Sequence, residues 1–170
     1  AEMGVDPALY ARSMAAIIES ELKRDPTISE REERPLVSLL DIAFEELELQ
    51  QLAGSCTVCL AMLTGDGKLH VLNLGDSGIQ LVRDGVSVFA TNEQQHYFNC
   101  PFQLGMGSCD KPSGADYYVL EDVAPGDVVV AATDGVWDNV YEEDIVRVIR
   151  ECNEHPRMVA DAIASLSQRQ

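Results

Sequence analysis

With 170 residues, 46% of them apolar and 24% charged, the chain can bury one core and reads as a single domain over residues 1–170 rather than as a disordered segment. Its 29 acids against 12 Lys plus Arg leave a formal net charge of −17, which repels nucleic-acid phosphates and anionic membranes alike. A phosphate-bearing partner would need positive charge from something other than side chains, a divalent cation above all.

The first helical pattern opens at Asp6-Pro7, Asp as N-cap and Pro at the first helical position. Leu9, Met14, Ile17, Ile18 and Leu22 then recur at helical spacing and predict one apolar face. The polar stretch KRDPTISEREERP reads as a loop. Pro35 starts a second helix with Leu36, Leu39, Leu40, Ala43, Phe44 and Leu47 on its buried side. After Gly54 the period changes: SCTVCLAMLT, KLHVLNL, GIQLVRD and VSVFA are short strand-like runs separated by GDG, GDSG and DG, which predicts an antiparallel meander. Residues 91–116 are irregular, and a connection of that length is usually functional or mobile. YYVLEDV and DVVVAAT are two further strands joined by APGD, the second reading as fully buried, and helical patterns in YEEDIVRVIREC and PRMVADAIASLSQ close the chain. Helices, then strands, then helices predict an α+β layered fold rather than alternating βαβ units. No apolar run approaches the roughly 20 residues that span a bilayer. The N-terminus does not read as a signal or transit peptide. Five scattered cysteines imply a reducing compartment rather than a disulfide framework.

Three aspartates stand where strands run out: Asp76 in NLGDSG, and Asp134 and Asp138 in TDGVWDN. If residues 135 onward turn helically, Asp134 and Asp138 lie a turn apart, with Cβ atoms about 5–6 Å from each other. Two like charges that close call for a cation between them, and hard ions such as Mg²⁺ or Mn²⁺ take carboxylate oxygens and keep several waters. Gly75, Gly78 and Gly135, each close to an acid, would let the backbone turn tightly or approach a ligand. Asp before Gly is also the commonest turn chemistry, as expected at Asp66 and Asp84, so the residues alone leave both readings open.

The run LAGSCTVCLAMLTGDGKLHVLNLGDSGIQLVRDG, followed by ATDGVWDN, resembles the type 2C metal-dependent protein serine/threonine phosphatases. NEQQHYFNCPFQL and DPALYARSM are similar to segments of their mitochondrial and T-cell-activation branch. The resemblance implies a four-layer αββα sandwich and two or more Mg²⁺ or Mn²⁺ ions that activate a water against phosphoserine or phosphothreonine in proteins. It also implies an intracellular location, the mitochondrial matrix by branch or otherwise the cytoplasm. Carried over by motif, Asp134 with Gly135 resembles the core metal motif, and Asp76, Asp134 and Asp138 together resemble the set that holds an additional ion. Against the family pattern, the first Asp-Gly metal motif, the late Asp-Asp or Asp-Asn motif and an upstream phosphate-binding Arg have no counterpart. The fold is therefore expected to be incomplete at both ends, and these 170 residues to bind metal weakly and catalyse poorly. A catalytically impaired scaffold or regulatory binding module is the alternative.

The remaining reactive side chains invite blander expectations. Cys56 and Cys59 form a CxxC without a second pair at zinc spacing, and on a strand their odd offset points them to opposite faces. His70 is expected at a surface or edge, His155 in an interhelical turn, and Trp137 as a core anchor. His96, beside Tyr97 and Phe98 in the long loop, is either a loop anchor or a residue on the substrate side.

Overall fold

A computed structural model describes Asp6, residues 8–152 and residues 155–168. The chain opens with α1 (Leu9–Arg24), a single-turn α2 (Ile28–Arg31) inside the stretch expected to be loop, and α3 (Pro35–Leu49). Two sheets follow. One is ordered β2–β3–β9 from Val58–Leu63, Leu69–Leu74 and Asp116–Leu120; the other is ordered β10–β4–β5 from Val128–Ala132, Gly78–Arg83 and Val86–Ala90. All pairings are antiparallel. Within residues 91–116 a short hairpin pairs β6 (Gln95–Tyr97) with β7 (Cys100–Pro101), and β8 (Leu104–Gly105) pairs with β1 (Ser55–Cys56). The chain ends in α4 (Asp134–Trp137), α5 (Glu142–Glu151) and α6 (Pro156–Ser167).

Side-chain alternation fixes the layer order. On β3, Leu72 and Leu74 join Val58 and Leu60 of β2 against α1 and α3, while Leu69 and Val71 face the other way. That second face meets Ile79 and Phe89 of the other sheet, with Cys59, Tyr118 and Leu120 filling the gap. The second sheet turns Val82 and Val130 outward onto Ile145, Val148 and Ile149 of α5 and Val159 and Ile163 of α6. The result is the expected αββα order, one apolar layer in each of three interfaces. Among the described residues no helix is long and apolar enough to cross a membrane.

Several expectations change. The run from β2 to β5 is no single meander: β3 and β4 belong to different sheets, so the chain crosses between layers at 75–77, and it crosses again between β9 and β10. Gly-Asp signals report that a chain reverses; they do not say which sheet receives it. β10 is not fully buried, because it is an edge strand with Val129 42% exposed. His70 is buried, since β3 is the central strand of its sheet, and its Nδ1 lies 2.8 Å from the Tyr117 hydroxyl. On α1, Tyr10, Met14 and Ile18 form the buried stripe and Leu9 is exposed. Asp6 accepts the Ala8 N–H (2.9 Å) just ahead of α1; Pro7, the expected first helical residue, lies outside the described residues, as do 153 and 154 of the turn before His155. Cys56 packs with the α1/α3 layer and Cys59 with the layer between sheets, on opposite faces as their spacing predicts.

Candidate metal centre

The turn that carries Asp76 is clamped from three sides. Asn73, fully buried, donates through Nδ2 to the carbonyls of Gly75 (3.2 Å) and Asn92 (3.0 Å). Gly75 sits at φ +108°, and a Cβ there would lie 2.5 Å from Thr57 Cγ2 and 2.8 Å from the Phe102 carbonyl, so this position needs glycine. Gln94 binds Gly75 in both directions, donating its N–H to the Gly75 carbonyl (2.9 Å) and accepting the Gly75 N–H on Oε1 (3.4 Å). Ser77 Oγ shares a hydrogen bond with Thr57 Oγ1 (2.9 Å).

Asp134 reaches the same place through strand register. β10 and β4 pair from Val128↔Val82 to Ala132↔Gly78. Two residues further along each strand, past the last pair, stand Asp134 and Asp76. The chain then turns helically, as expected: the Asp138 N–H donates to the Asp134 carbonyl (2.8 Å), which brings Asp138 back over Asp134. Trp137 Nε1–H donates to the Ala132 carbonyl (2.8 Å) and pins this turn to its strand. Gly78 gives the indole room, since a Cβ there would lie 3.3 Å from Nε1 and 2.6 Å from Thr91 Oγ1. Gly135 has no such steric need, its nearest neighbour being Thr133 Oγ1 at 3.7 Å. It serves through its backbone, donating N–H to Asp134 Oδ1 (2.8 Å) and accepting from Asn139 Nδ2 (3.0 Å).

The electrostatics agree with this convergence. Burial pushes the Asp76 carboxyl above its ordinary range, its own backbone hydrogen bond acts against this, and the charges of Asp134 and Asp138 push it further up. Among the described residues no Lys or Arg forms an ion pair with any of the three. An oxygen-only donor set short of positive charge fits a hard divalent cation. The three carboxylates do not close to within 4.8 Å of one another; the described residues that do so are His96, Cys109 and Asp110. A hydrated Mg²⁺, which takes one or two carboxylates and keeps several waters, tolerates the wider spacing.

Beside the aspartates lies a cavity of about 220 Å³, lined by Asp76, Gly78, Gln80, Thr91, Glu93 and Trp137 among others. Gln80 Oε1 is buried and, among the described residues, has no hydrogen-bond partner. Trp137 is both the core anchor expected and part of this wall. His96 is a loop anchor: its Nε2 meets Asp110 at 3.0 Å, its ring stacks on Phe102 at 4.4 Å, and it is not among the cavity's walls. Sequence reasoning missed Asn73, Gln80 and Glu93. Asn73 adjoins the Gly-Asp signal by three residues, but nothing in the sequence marks a buried amide as the clamp of that turn.

The Protein phosphatase 2C family model matches residues 8–169. The chain is 38% identical over 172 residues to Probable protein phosphatase 2C 80 of Arabidopsis thaliana, covering 99% of this chain and 40% of that protein. It is 34% identical over 161 residues to the Protein phosphatase PTC7 homolog of Xenopus laevis, covering 88% of this chain and 52% of that one. Among solved structures, the photosystem II phosphatase PBCP superposes with a TM-score of 0.85 at 31% identity, over 99% of this chain and 63% of that one. The chain thus spans about half or less of the length of these two curated relatives.

Proposed function

We propose, from the premise that this chain belongs to the protein phosphatase 2C family, that Asp76, Asp134 and Asp138 hold Mg²⁺ or Mn²⁺. We further propose that the protein it forms part of hydrolyses phosphoserine and phosphothreonine in proteins. The observation that carries the reading is the β4–β10 register, which delivers Asp76 and Asp134 to one end of one sheet with Asp138 a helical turn away. A divalent cation bound there supplies positive charge to a phosphate and lowers the pKa of a coordinated water.

The chain's own residues set the conditions for that chemistry. Gly75, Asn73 and Ser77 hold the backbone that presents Asp76, and Trp137 and Gly135 hold the turn and carboxylate of Asp134, so both acids are presented from constrained backbone. Glu93 and Glu142 add two more carboxylates to the cavity wall. A phosphate dianion is repelled by such a wall unless cations neutralise it, so binding of phosphoprotein depends on metal at the entry step as well as in the reaction. In compartment, the reading follows the branch resemblance to an intracellular protein of the mitochondrial matrix, which fractionation tests.

Asp134→Asn in the longest available form of the protein tests the assignment. Mn²⁺ titration calorimetry should lose heat, and turnover of a phosphothreonine peptide should fall at least about 100-fold, on the scale of removing a group that stabilises transition-state charge. Unchanged kinetics would reject the assignment.

A further inference from the structure

We propose that His96, Cys109 and Asp110 form a second cation site, separate from the aspartates, that takes a borderline transition-metal ion of the Zn²⁺ class. One ligand atom from each side chain lies within 4.8 Å of the other two. His96 Nε2 is 3.0 Å from Asp110 Oδ1, and Cys109 Sγ is 3.8 Å from the same oxygen. With Zn–N and Zn–O near 2.0–2.1 Å and Zn–S near 2.3 Å, the edges of a tetrahedral site are about 3.3 Å for N···O and about 3.6 Å for S···O. Both observed separations come within a few tenths of an ångström of those edges.

The donor set argues for the class of ion. Nitrogen, sulfur and one oxygen suit Zn²⁺, and are wrong for the all-oxygen preference of Mg²⁺. Two of the ligands are adjacent in sequence, which a strand would point to opposite faces; Cys109 and Asp110 lie in irregular backbone, where neighbours can address one point. The ligands are also held in place. Asp110 Oδ2 accepts the Gln103 N–H (2.9 Å) and lies 3.1 Å from His96 Nε2, the Asp110 N–H donates to Ser108 Oγ (3.1 Å), and Oδ1 faces both His96 and Cys109. Stacking on Phe102 fixes the His96 ring. Such outer partners are what a metal site uses to orient its ligands. His96 and Cys109 are exposed, so the fourth position belongs to solvent, and binding releases the Cys109 thiol proton to the buffer. The site is wired to the turn described above, because the Phe102 N–H donates to the Gln94 carbonyl (3.0 Å) and Gln94 in turn binds Gly75.

Co²⁺ is the probe, added to the longest available form of the protein and then displaced by Zn²⁺. The expected result is a near-ultraviolet thiolate-to-cobalt band that disappears in Cys109→Ser and persists in Asp134→Asn. His96→Gln should weaken Zn²⁺ binding at least about tenfold. Co²⁺ binding without the band, a band that survives Cys109→Ser, or one lost in Asp134→Asn overturns the proposal. A measurement on the unmutated protein guards against a variant that does not fold: Zn²⁺ should slow iodoacetamide alkylation of Cys109 at least about tenfold by peptide mass spectrometry. Unslowed alkylation also overturns the proposal.

Discussion

Replacing Gly75 with Ala isolates the backbone that presents Asp76. The φ of +108° falls where a residue with a Cβ is strained, at about 1–2 kcal/mol. The new Cβ would also lie 2.5 Å from Thr57 Cγ2 and 2.8 Å from the Phe102 carbonyl. Neither neighbour gives easily, since Thr57 is held by Ser77 and Phe102 presents backbone, so overpacking adds about 1–3 kcal/mol. The sum is about 2–5 kcal/mol, a large part of a typical domain's stability. Gly67→Ala is the control: its φ is +82°, but a Cβ there meets nothing within 4 Å, so it carries only the backbone cost of about 1–2 kcal/mol. Both variants gain the same rigidity in the unfolded chain, which cancels in the comparison. Urea unfolding, followed by the fluorescence of Trp137, the single tryptophan, gives both values. Gly75→Ala should be the less stable by about 1–3 kcal/mol and should weaken Mn²⁺ binding, which Gly67→Ala leaves intact. Equal losses in the two variants would refute the clamped turn.

Three further outcomes are expected. Arg83 and Asp127 form a two-point pair, Nε to Oδ1 and Nη2 to Oδ2, each 2.7 Å, and Arg83 holds the Asp127 carboxyl below its ordinary range against the burial that raises it. Because the folded-state pKa is depressed, the contribution is fully present above the unfolded-state pKa of about 4 and is lost as pH falls through the folded value; Asp127→Asn should therefore flatten the fall in urea midpoint between about pH 5 and 3. Tyr117→Phe leaves buried His70 Nδ1 without its partner and should cost about 1–3 kcal/mol, measured by thermal unfolding. Burial pushes the Cys56 and Cys59 thiols up to about 11 and about 12, so in chelator-treated protein at pH 8 both should react with iodoacetamide far more slowly than exposed Cys109, by peptide mass spectrometry.

What the sequence disclosed follows what each signal encodes. Periodicity gave α3 its buried face, Leu36 to Leu47, because those residues form one stripe that packs in a single layer with α1 and the β2–β3 side of its sheet. It named Leu9 wrongly and omitted Tyr10, since a one-residue rotation of the apolar stripe still looks helical. Turn chemistry located 75–77 and 84–85 equally well, yet only the second closes a hairpin, β4 to β5. The first crosses between sheets, a matter of which apolar face each strand shows to which layer, and that is settled by packing rather than by the turn residues. The aspartates drew notice because acids at the end of an apolar strand break its pattern, while the residues alone allowed plain turn chemistry as well. Asn73 and Gln80 did not, because a buried amide inside a strand breaks none that a single sequence can distinguish from an exposed one.

The position of the carboxylates depends on one ladder. A slip of a single residue between β4 and β10 would reverse every side chain of β10 and carry Asp134 away from Asp76. Five consecutive pairs without irregularity, Val128↔Val82 to Ala132↔Gly78, protect that register. The other side of β4 is less regular, its pairing with β5 shifting between Leu81 and Val82. That irregularity lies toward the far end of the strand, beyond Ile79 and Gln80 and away from Gly78. Val130 faces α5 and α6, and Val129, on the opposite face, is 42% exposed. A slip would bury the wrong valines and leave the α5/α6 layer without its partners. The same packing that sets the register therefore holds the two acids together, and the apolar contacts of β10 offset their mutual repulsion.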